Sequence, residues 1–218
     1  MKAYQKLGIV FSLVISGSAS ADILYDNIPL NLNPAELGGL TIYSTNSYIA
    51  NKFSGGPSCA SGCTLGDVTA VLYSDTGTTA GFQLQVVADN AGSPGDALVT
   101  LTTGQFGTSF QKNVFTPNAS LQIFEGDYWV KLSTLPSIAQ TGTWGYRAGD
   151  TQTAPSQPAE NFYSLDFGYG FPIEGSISQS LMMTVEATPL ATPIPGTVWM
   201  MGSALLGFIT TRYRKSKI

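Results

Sequence analysis

Short segments in which apolar and polar residues alternate limit this chain to a β fold. The alternation covers residues 68–73, 82–89, 97–103, 128–133 and 181–186. A period of two places successive side chains on opposite faces of a strand, so each run predicts a half-buried β-strand. Turn-forming residues separate the runs, and a single helical turn is possible at residues 34–37. We therefore predict an all-β, two-sheet sandwich of jelly-roll type.

The first 21 residues have the three parts of an export signal. Lys2 and Lys6 provide positive charge, and the apolar run Leu7–Ile15 is too short to span a bilayer. Small residues follow, with Ala19 and Ala21 at the positions expected for signal-peptidase cleavage. Residues 1–21 are therefore a predicted signal peptide, and we expect the mature chain to begin at Asp22.

The sequence of the C-terminal segment predicts a membrane anchor. Residues 22–187 form the predicted β-sandwich, and residues 188–195 are a linker rich in Pro and Thr. Residues 196–211 carry no charge and predict one transmembrane helix, near the lower length limit of about 17 residues. Residues 212–218 are basic, which places them on the cytoplasmic side and the β domain across the membrane.

This three-part tail resembles the PEP-CTERM sorting signal of proteins exported by Gram-negative bacteria. The matching parts are a motif at Pro193, Ile194, Pro195 and Gly196, the apolar helix, and basic residues at Arg212, Arg214, Lys215 and Lys217. The family most often has Glu between the prolines, so Ile194 indicates the Pro-aliphatic-Pro-Gly variant. The resemblance implies processing by an exosortase, a membrane transpeptidase, after transient anchoring in the inner membrane. The alternative is a permanent anchor that is never cut.

Most of the mature domain also resembles the exported bacterial domain called choice-of-anchor R, whose members carry interchangeable C-terminal anchors. The matching segments are residues 24–27, 50–53, 65–73, 86–87 and 89–95. This resemblance fits the tail and implies no established activity.

The charge of the predicted domain argues against nucleic acid as a partner. All 14 acidic residues lie between Asp22 and Leu190, together with only four basic ones, so this segment has a formal charge of −10. Such a surface repels phosphates.

Two cysteines, Cys59 and Cys63, are expected to form a disulfide in an exported protein. Zinc is disfavoured because the chain has no His and no third Cys. A redox motif would have one residue fewer between the cysteines.

The absence of His removes the nucleophilic schemes that depend on an imidazole base. Carboxylate chemistry remains, but Glu125 and Asp127 flank a glycine at a predicted hairpin tip, and the other acidic residues cannot be paired from sequence. We expect no cofactor. Structural calcium is a weaker hypothesis, with Asp75, Asp89, Asn90 and Asp96 as conceivable oxygen ligands.

Aromatic residues supply a binding hypothesis. Trp129, Trp144 and Tyr146 could stack on sugar rings if they face solvent, but the favoured alternative for each is that it fills the core. Trp129 alternates out of phase with Tyr128, Val130 and Leu132, so one of these sets faces outward. We predict a non-catalytic, exported protein that reaches the cell surface or extracellular matrix and associates with exopolysaccharide. The alternatives are a glycoside hydrolase with two carboxylates and a permanently anchored periplasmic domain.

Overall fold

The computed structural model describes residues 21–42, 47–77, 81–102, 106–135, 141–147, 161–165, 173–177 and 181–190. The described part stops short of both predicted terminal segments. The signal peptide up to Ser20, the motif at residues 193–196, the helix at 196–211 and the basic tail therefore lie outside it. Within the described ranges we find no helical segment that could serve as a membrane span.

The chain is organised as thirteen described strands, numbered in chain order. They are β1 Asp22–Asp26, β2 Leu37–Ile42, β3 Tyr48–Ser54, β4 Cys63–Ser74, β5 Phe82–Asn90, β6 Ser93–Thr102, β7 Gln111–Pro117, β8 Gln122–Ile123, β9 Asp127–Thr134, β10 Gly142–Arg147, β11 Asn161–Leu165, β12 Ile173–Ile177 and β13 Met183–Pro189. Two short 3₁₀ turns, Pro34–Glu36 and Pro57–Cys59, complete the described secondary structure. The all-β prediction and the helical turn near residue 34 are confirmed.

The strands form one antiparallel network in the order β1-β13-β4-β7-β6-β5-β9-β3-β11-β12. β10 pairs with β2 and β4, and β8 pairs with β4. The link between β6 and β7 is short, with two residue pairs, Leu101↔Pro117 and Thr102↔Thr116. The network therefore consists of two groups of strands joined along a narrow seam.

One apolar core receives side chains from both groups of strands. The group containing β4 and β13 contributes Val68, Leu72, Phe115 and Val185, and the group containing β5, β9 and β3 contributes residues such as Val86, Val130 and Phe53. A polar contact also crosses this core, because the Asn51 side-chain amide donates to the Leu181 carbonyl at 2.9 Å. The two groups of strands are thus packed against each other.

Turn chemistry explains the tightest connection in the network. Ala91 and Gly92 join β5 to β6, and both have positive φ, at 51° and 88°. Two-residue hairpins favour this geometry because its twist matches that of the flanking strands. The Asp89 carboxylate also accepts the Gly92 N–H at 3.1 Å, which holds the turn. The turn predicted from residues 89–95 is therefore present, but it is confined to Ala91 and Gly92, and the flanking residues belong to β5 and β6.

The first and last described strands are neighbours. β1 pairs with β13, with Asp22 opposite Ala187, and β13 pairs on its other side with β4, with Pro189 opposite Cys63. The Leu190 N–H then donates to the Gly62 carbonyl at 2.9 Å. The C-terminal strand thus continues two residues beyond the predicted domain boundary at residue 187, and it ends beside the start of β1.

Candidate functional site

The three neighbouring strands β5, β9 and β3 present two contrasting faces. Directly paired residues share a face, so the register defines rows that cross all three strands. The outer face, as we call it, consists of three such rows: Gln83–Ser133–Tyr48, Gln85–Lys131–Ala50 and Val87–Trp129–Lys52. The opposite rows, which include Leu84, Leu132 and Ile49, belong to the core. The set containing Trp129 is therefore the one that faces away from the core.

Trp129 is nevertheless buried, with 1% of its surface exposed, in a small cluster with Ala50 and Val87. Its indole Nε1–H donates to the Asp89 carboxylate at 2.7 Å. The Lys52 ammonium lies 5.5 Å from the centre of its ring. The indole is therefore held in a defined orientation at one end of the outer face.

The hypothesis that the three aromatic residues stack on sugar is not supported by their burial. Trp144 is fully buried in the core and donates through Nε1 to the Met182 carbonyl at 3.0 Å. Neither it nor Trp129 offers an exposed ring face in this structure. Tyr146 is half-buried, and its ring lies so close to Gly38 that a Cβ there would be 2.6 Å away. For the two tryptophans, the alternative that they fill the interior is the one that fits.

Lys52 is the cation of a local charge cluster at the Trp129 end of the outer face. Its ammonium lies 3.0 Å from the Asp127 carboxylate and 3.9 Å from that of Asp89. Asp89 thus serves Lys52, Trp129 and the β5–β6 turn together. The acidic groups at this end of the face are therefore already committed within the protein.

Lys131 occupies the centre of the outer face and differs from Lys52. Among the described residues it forms no ion pair, and its ammonium lies 4.2 Å from the centre of the Tyr48 ring. Partial burial removes water from the charged amine, which lowers the pKa of Lys131 below its ordinary value of 10.5. A cation–π contact compensates for part of the lost hydration.

Polar side chains surround Lys131 on the same face. Gln85 lies directly opposite it on β5, and Gln83 and Ser133 form the adjacent pair. The Ser133 hydroxyl bonds to the Gln83 carbonyl at 3.4 Å, but neither glutamine side chain has a hydrogen-bond partner within the described ranges. Both are half-buried. The centre of the outer face therefore combines a cation with two amides whose bonding capacity is unused.

The structure places three of the carboxylates considered above, those of Asp127, Asp75 and Asp89, in ordinary protein contacts. Asp127 follows the hairpin tip that contains Glu125 and pairs with Lys52. The Asp75 carboxylate accepts a hydrogen bond from the Thr141 hydroxyl, and Asp89 is engaged as described above. No group of three or more Cys, Asp or Glu suitable for a metal ion occurs in the part of the chain that the structure describes.

The predicted disulfide is present. Cys59 and Cys63 are bonded and fully buried, and the Cα atoms lie 5.0 Å apart. Gly62, which completes the loop, has φ of 95° and packs against Leu190 and Phe124. The disulfide loop therefore borders the point where the chain leaves β13.

A cavity of about 230 Å³ lies at the end of β5 and β6, lined by Phe82, Phe106 and Phe115 among others. It is smaller than the 300–1,000 Å³ typical of ligand pockets. We therefore place the candidate site on the outer face instead.

Comparisons with known proteins contribute no assignment. No family model, no curated protein and no solved structure matches this chain.

None of the residues Lys131, Gln83, Gln85 and Tyr48 was predicted from the sequence to be a site residue. One sequence signal could have indicated Lys131. The alternation that predicted strand β9 puts Lys131 and Ser133 on the same face as Trp129. It could not identify the residues that oppose them, since those pairings are set by β3 and β5, more than forty residues away along the chain.

Proposed function

We propose that this chain is a non-catalytic, exported protein that is sorted through its C-terminal tail to the cell surface or extracellular matrix, where it associates with exopolysaccharide. The observation that carries the proposal is the order of three parts at the C-terminus: Pro193–Gly196, the uncharged segment 197–211, and four basic residues within 212–218. The motif suits recognition by a processing enzyme, the uncharged segment suits insertion into the membrane, and the basic residues suit retention of the C-terminus in the cytoplasm.

The positions of the two chain ends support this proposal. β1 begins at Asp22, the first residue after the proposed cleavage site, and Asp22 pairs with Ala187 near the end of β13. Antiparallel pairing brings the start of one strand to the end of the other. Both proposed membrane segments would therefore connect to the same end of the domain, so that both could lie in one membrane before they are removed.

The disulfide loop also supports export. A disulfide persists in oxidising compartments and is rare in the cytosol. The Cys59–Cys63 bond lies next to the exit of the tail, since Pro189 pairs with Cys63 and Leu190 bonds to Gly62. In sequence, Ala191 and Thr192 alone separate this hydrogen-bonded end from the motif at Pro193. The proposed cleavage motif thus follows directly on a firmly anchored strand.

We further propose that the two groups of strands are the sheets of a jelly-roll-like sandwich. The shared core and the two-pair seam between β6 and β7 support this arrangement. It leaves the outer face of β5, β9 and β3 away from the core, where a matrix polymer could reach it.

Intact-mass analysis of the protein isolated from the cell surface tests the sorting proposal. The expected mature form begins at Asp22 and lacks the basic tail, because both terminal segments are removed. Replacing Pro193 and Pro195 by Ala should leave the full tail in place, whereas Thr192→Ala serves as the matched control. Most surface molecules retaining Ile218 would overturn the proposal in favour of a permanent anchor.

A further inference from the structure

We propose that the centre of the outer face is a binding site for a polysaccharide that carries occasional uronic acid residues, with Lys131 binding the carboxylate and Gln83 and Gln85 binding hydroxyls. This inference rests on the proposed association with exopolysaccharide and identifies both the site and the class of polymer.

The first argument concerns charge. The domain has four basic residues, and Lys52 is neutralised by Asp127 and Asp89. Lys131 lacks a carboxylate partner among the described residues although the domain is strongly acidic. A carboxylate from a ligand would supply the missing partner.

The second argument concerns burial. Lys131 is partly withdrawn from water against the Tyr48 ring, so part of the cost of desolvating its charge is already borne by the folded protein. An ion pair formed in such surroundings is screened less by water and salt than one at a fully exposed position. A single carboxylate can therefore contribute measurable affinity at this position.

The third argument concerns the neighbouring polar groups. Gln85 is the direct cross-strand partner of Lys131, and Gln83 lies two residues earlier on the same face of β5. Each free amide offers two donors and an acceptor, which suits vicinal sugar hydroxyls that both donate and accept. Adjacent strands lie about 4.8 Å apart, so the groups form a surface for an extended ligand rather than a closed pocket for a small anion.

The overall charge restricts the class of polymer. A formal charge of −10 repels a densely charged polyanion such as nucleic acid. A mostly neutral polysaccharide with well-separated carboxylates can approach the domain and still use Lys131. Its neutral sugars would lie over the glutamines and Ser133.

Calorimetric titration of the purified mature protein with the gellan repeat oligosaccharide, which carries a single glucuronate, tests the site. The matched ligand is the same oligosaccharide after its carboxyl group has been reduced to an alcohol. We expect the acidic form to bind the wild-type protein more tightly, by roughly ten- to a hundredfold, as expected for one charge-assisted hydrogen bond.

The protein variants separate the charge from the fold. Lys131→Gln should abolish the preference for the acidic ligand, Lys131→Arg should retain most of it, and Lys112→Gln, an exposed lysine on β7, should leave it unchanged. Gln85→Ala should weaken both ligands by a similar factor.

Equal affinity of the wild-type protein for the two ligands, or a preference that survives in Lys131→Gln, would overturn the site. If Lys131→Gln loses the circular dichroism of a β-sheet protein, the variant is unfolded, and the affinities of the wild-type protein for the two ligands alone decide the test. The outcome is independent of tail processing: a protein that is cut and sorted but shows no carboxylate preference refutes this site and leaves the sorting proposal standing. A protein that keeps its tail but shows the Lys131-dependent preference refutes the sorting proposal and leaves this site standing.

Discussion

The two faces of the β5–β9–β3 strands are built on the same backbone and serve different purposes. On the inner face, Leu84, Leu132 and Ile49 form one row, and Val86, Val130 and Asn51 form the next. All six side chains are buried. The corresponding outer rows contain Gln, Ser, Tyr and Lys, most of them half-buried. The inner face holds the fold together, and the outer face keeps polar groups available.

Each face has one residue that departs from its general composition, and a side-chain hydrogen bond accompanies each departure. Asn51 is polar and fully buried on the inner face, where its amide nitrogen donates to the Leu181 carbonyl. Trp129 is apolar and lies on the outer face, where Asp89 accepts its N–H. A buried polar group needs such a partner to avoid a cost of about 1–3 kcal/mol. Both exceptions therefore place a side-chain N–H donor on an acceptor, although the Asn51 side-chain oxygen has no hydrogen-bond partner among the described residues.

Truncation of an inner-face side chain should have the largest effect on stability. Leu132 is fully buried, so Leu132→Ala should lower the free energy of unfolding by about 2–5 kcal/mol through lost burial and a residual cavity. Gln85→Ala on the outer face is the control and should change it by no more than about 0.5 kcal/mol. Urea denaturation followed by circular dichroism measures both, and equal losses would show that the two faces do not differ in their contribution to stability.

Removing the indole hydrogen bond should have an intermediate effect. Trp129→Phe keeps an aromatic ring in the cluster with Ala50 and Val87 but removes the donor to Asp89. We expect a loss of about 1–2 kcal/mol, because the acceptor is charged and partly exposed. A double-mutant cycle with Asp89→Asn isolates the bond. A coupling energy near zero would mean that Trp129 contributes by packing alone.

The strands were more predictable from sequence than the site. The alternating runs confirmed in β4, β5, β6, β9 and β13 carry their signal locally, since each depends on a period of two. No alternating run predicted β1, β2, β7, β8, β10, β11 or β12. The sequence of β2, Leu37–Ile42, contains Gly38 and Gly39, which weaken a strand pattern but here admit the ring of Tyr146 and the Thr143 and Phe110 side chains.

The site depends on pairings that no local pattern contains. Alternation in β9 predicted two opposite faces, but Trp129 is buried in a cluster with Val87 on β5 and Ala50 on β3. The bond from Trp129 to Asp89 likewise joins residues forty positions apart. Residue type made the tryptophans sugar-binding candidates, whereas the register shows that Lys131 lies in the middle row of that face. Non-local register, rather than residue type, decides which group remains available.

The smallest expected effect is a dependence of stability on alkaline pH that originates at Lys131. Burial lowers the pKa of this lysine in the folded state below its ordinary value of 10.5. Between these two values the unfolded chain binds more protons than the folded one, so the contribution of Lys131 to stability rises with pH. Below the lowered pKa the charged amine carries its full desolvation cost.

Denaturation midpoints of the wild-type protein and Lys131→Gln, measured from pH 7 to about 10.5, test this sign. The midpoint of the wild-type protein should rise relative to that of the variant as pH increases, because only the wild-type protein releases this proton on folding. Phenols ionise near pH 10, so the pair is repeated in a Tyr48→Phe background, and Lys112→Gln controls for the loss of a lysine. Parallel curves for the two proteins would mean that Lys131 is as well hydrated in the folded protein as in the unfolded chain. The outer face would then lack the partly desolvated cation on which its distinction from an ordinary polar surface depends.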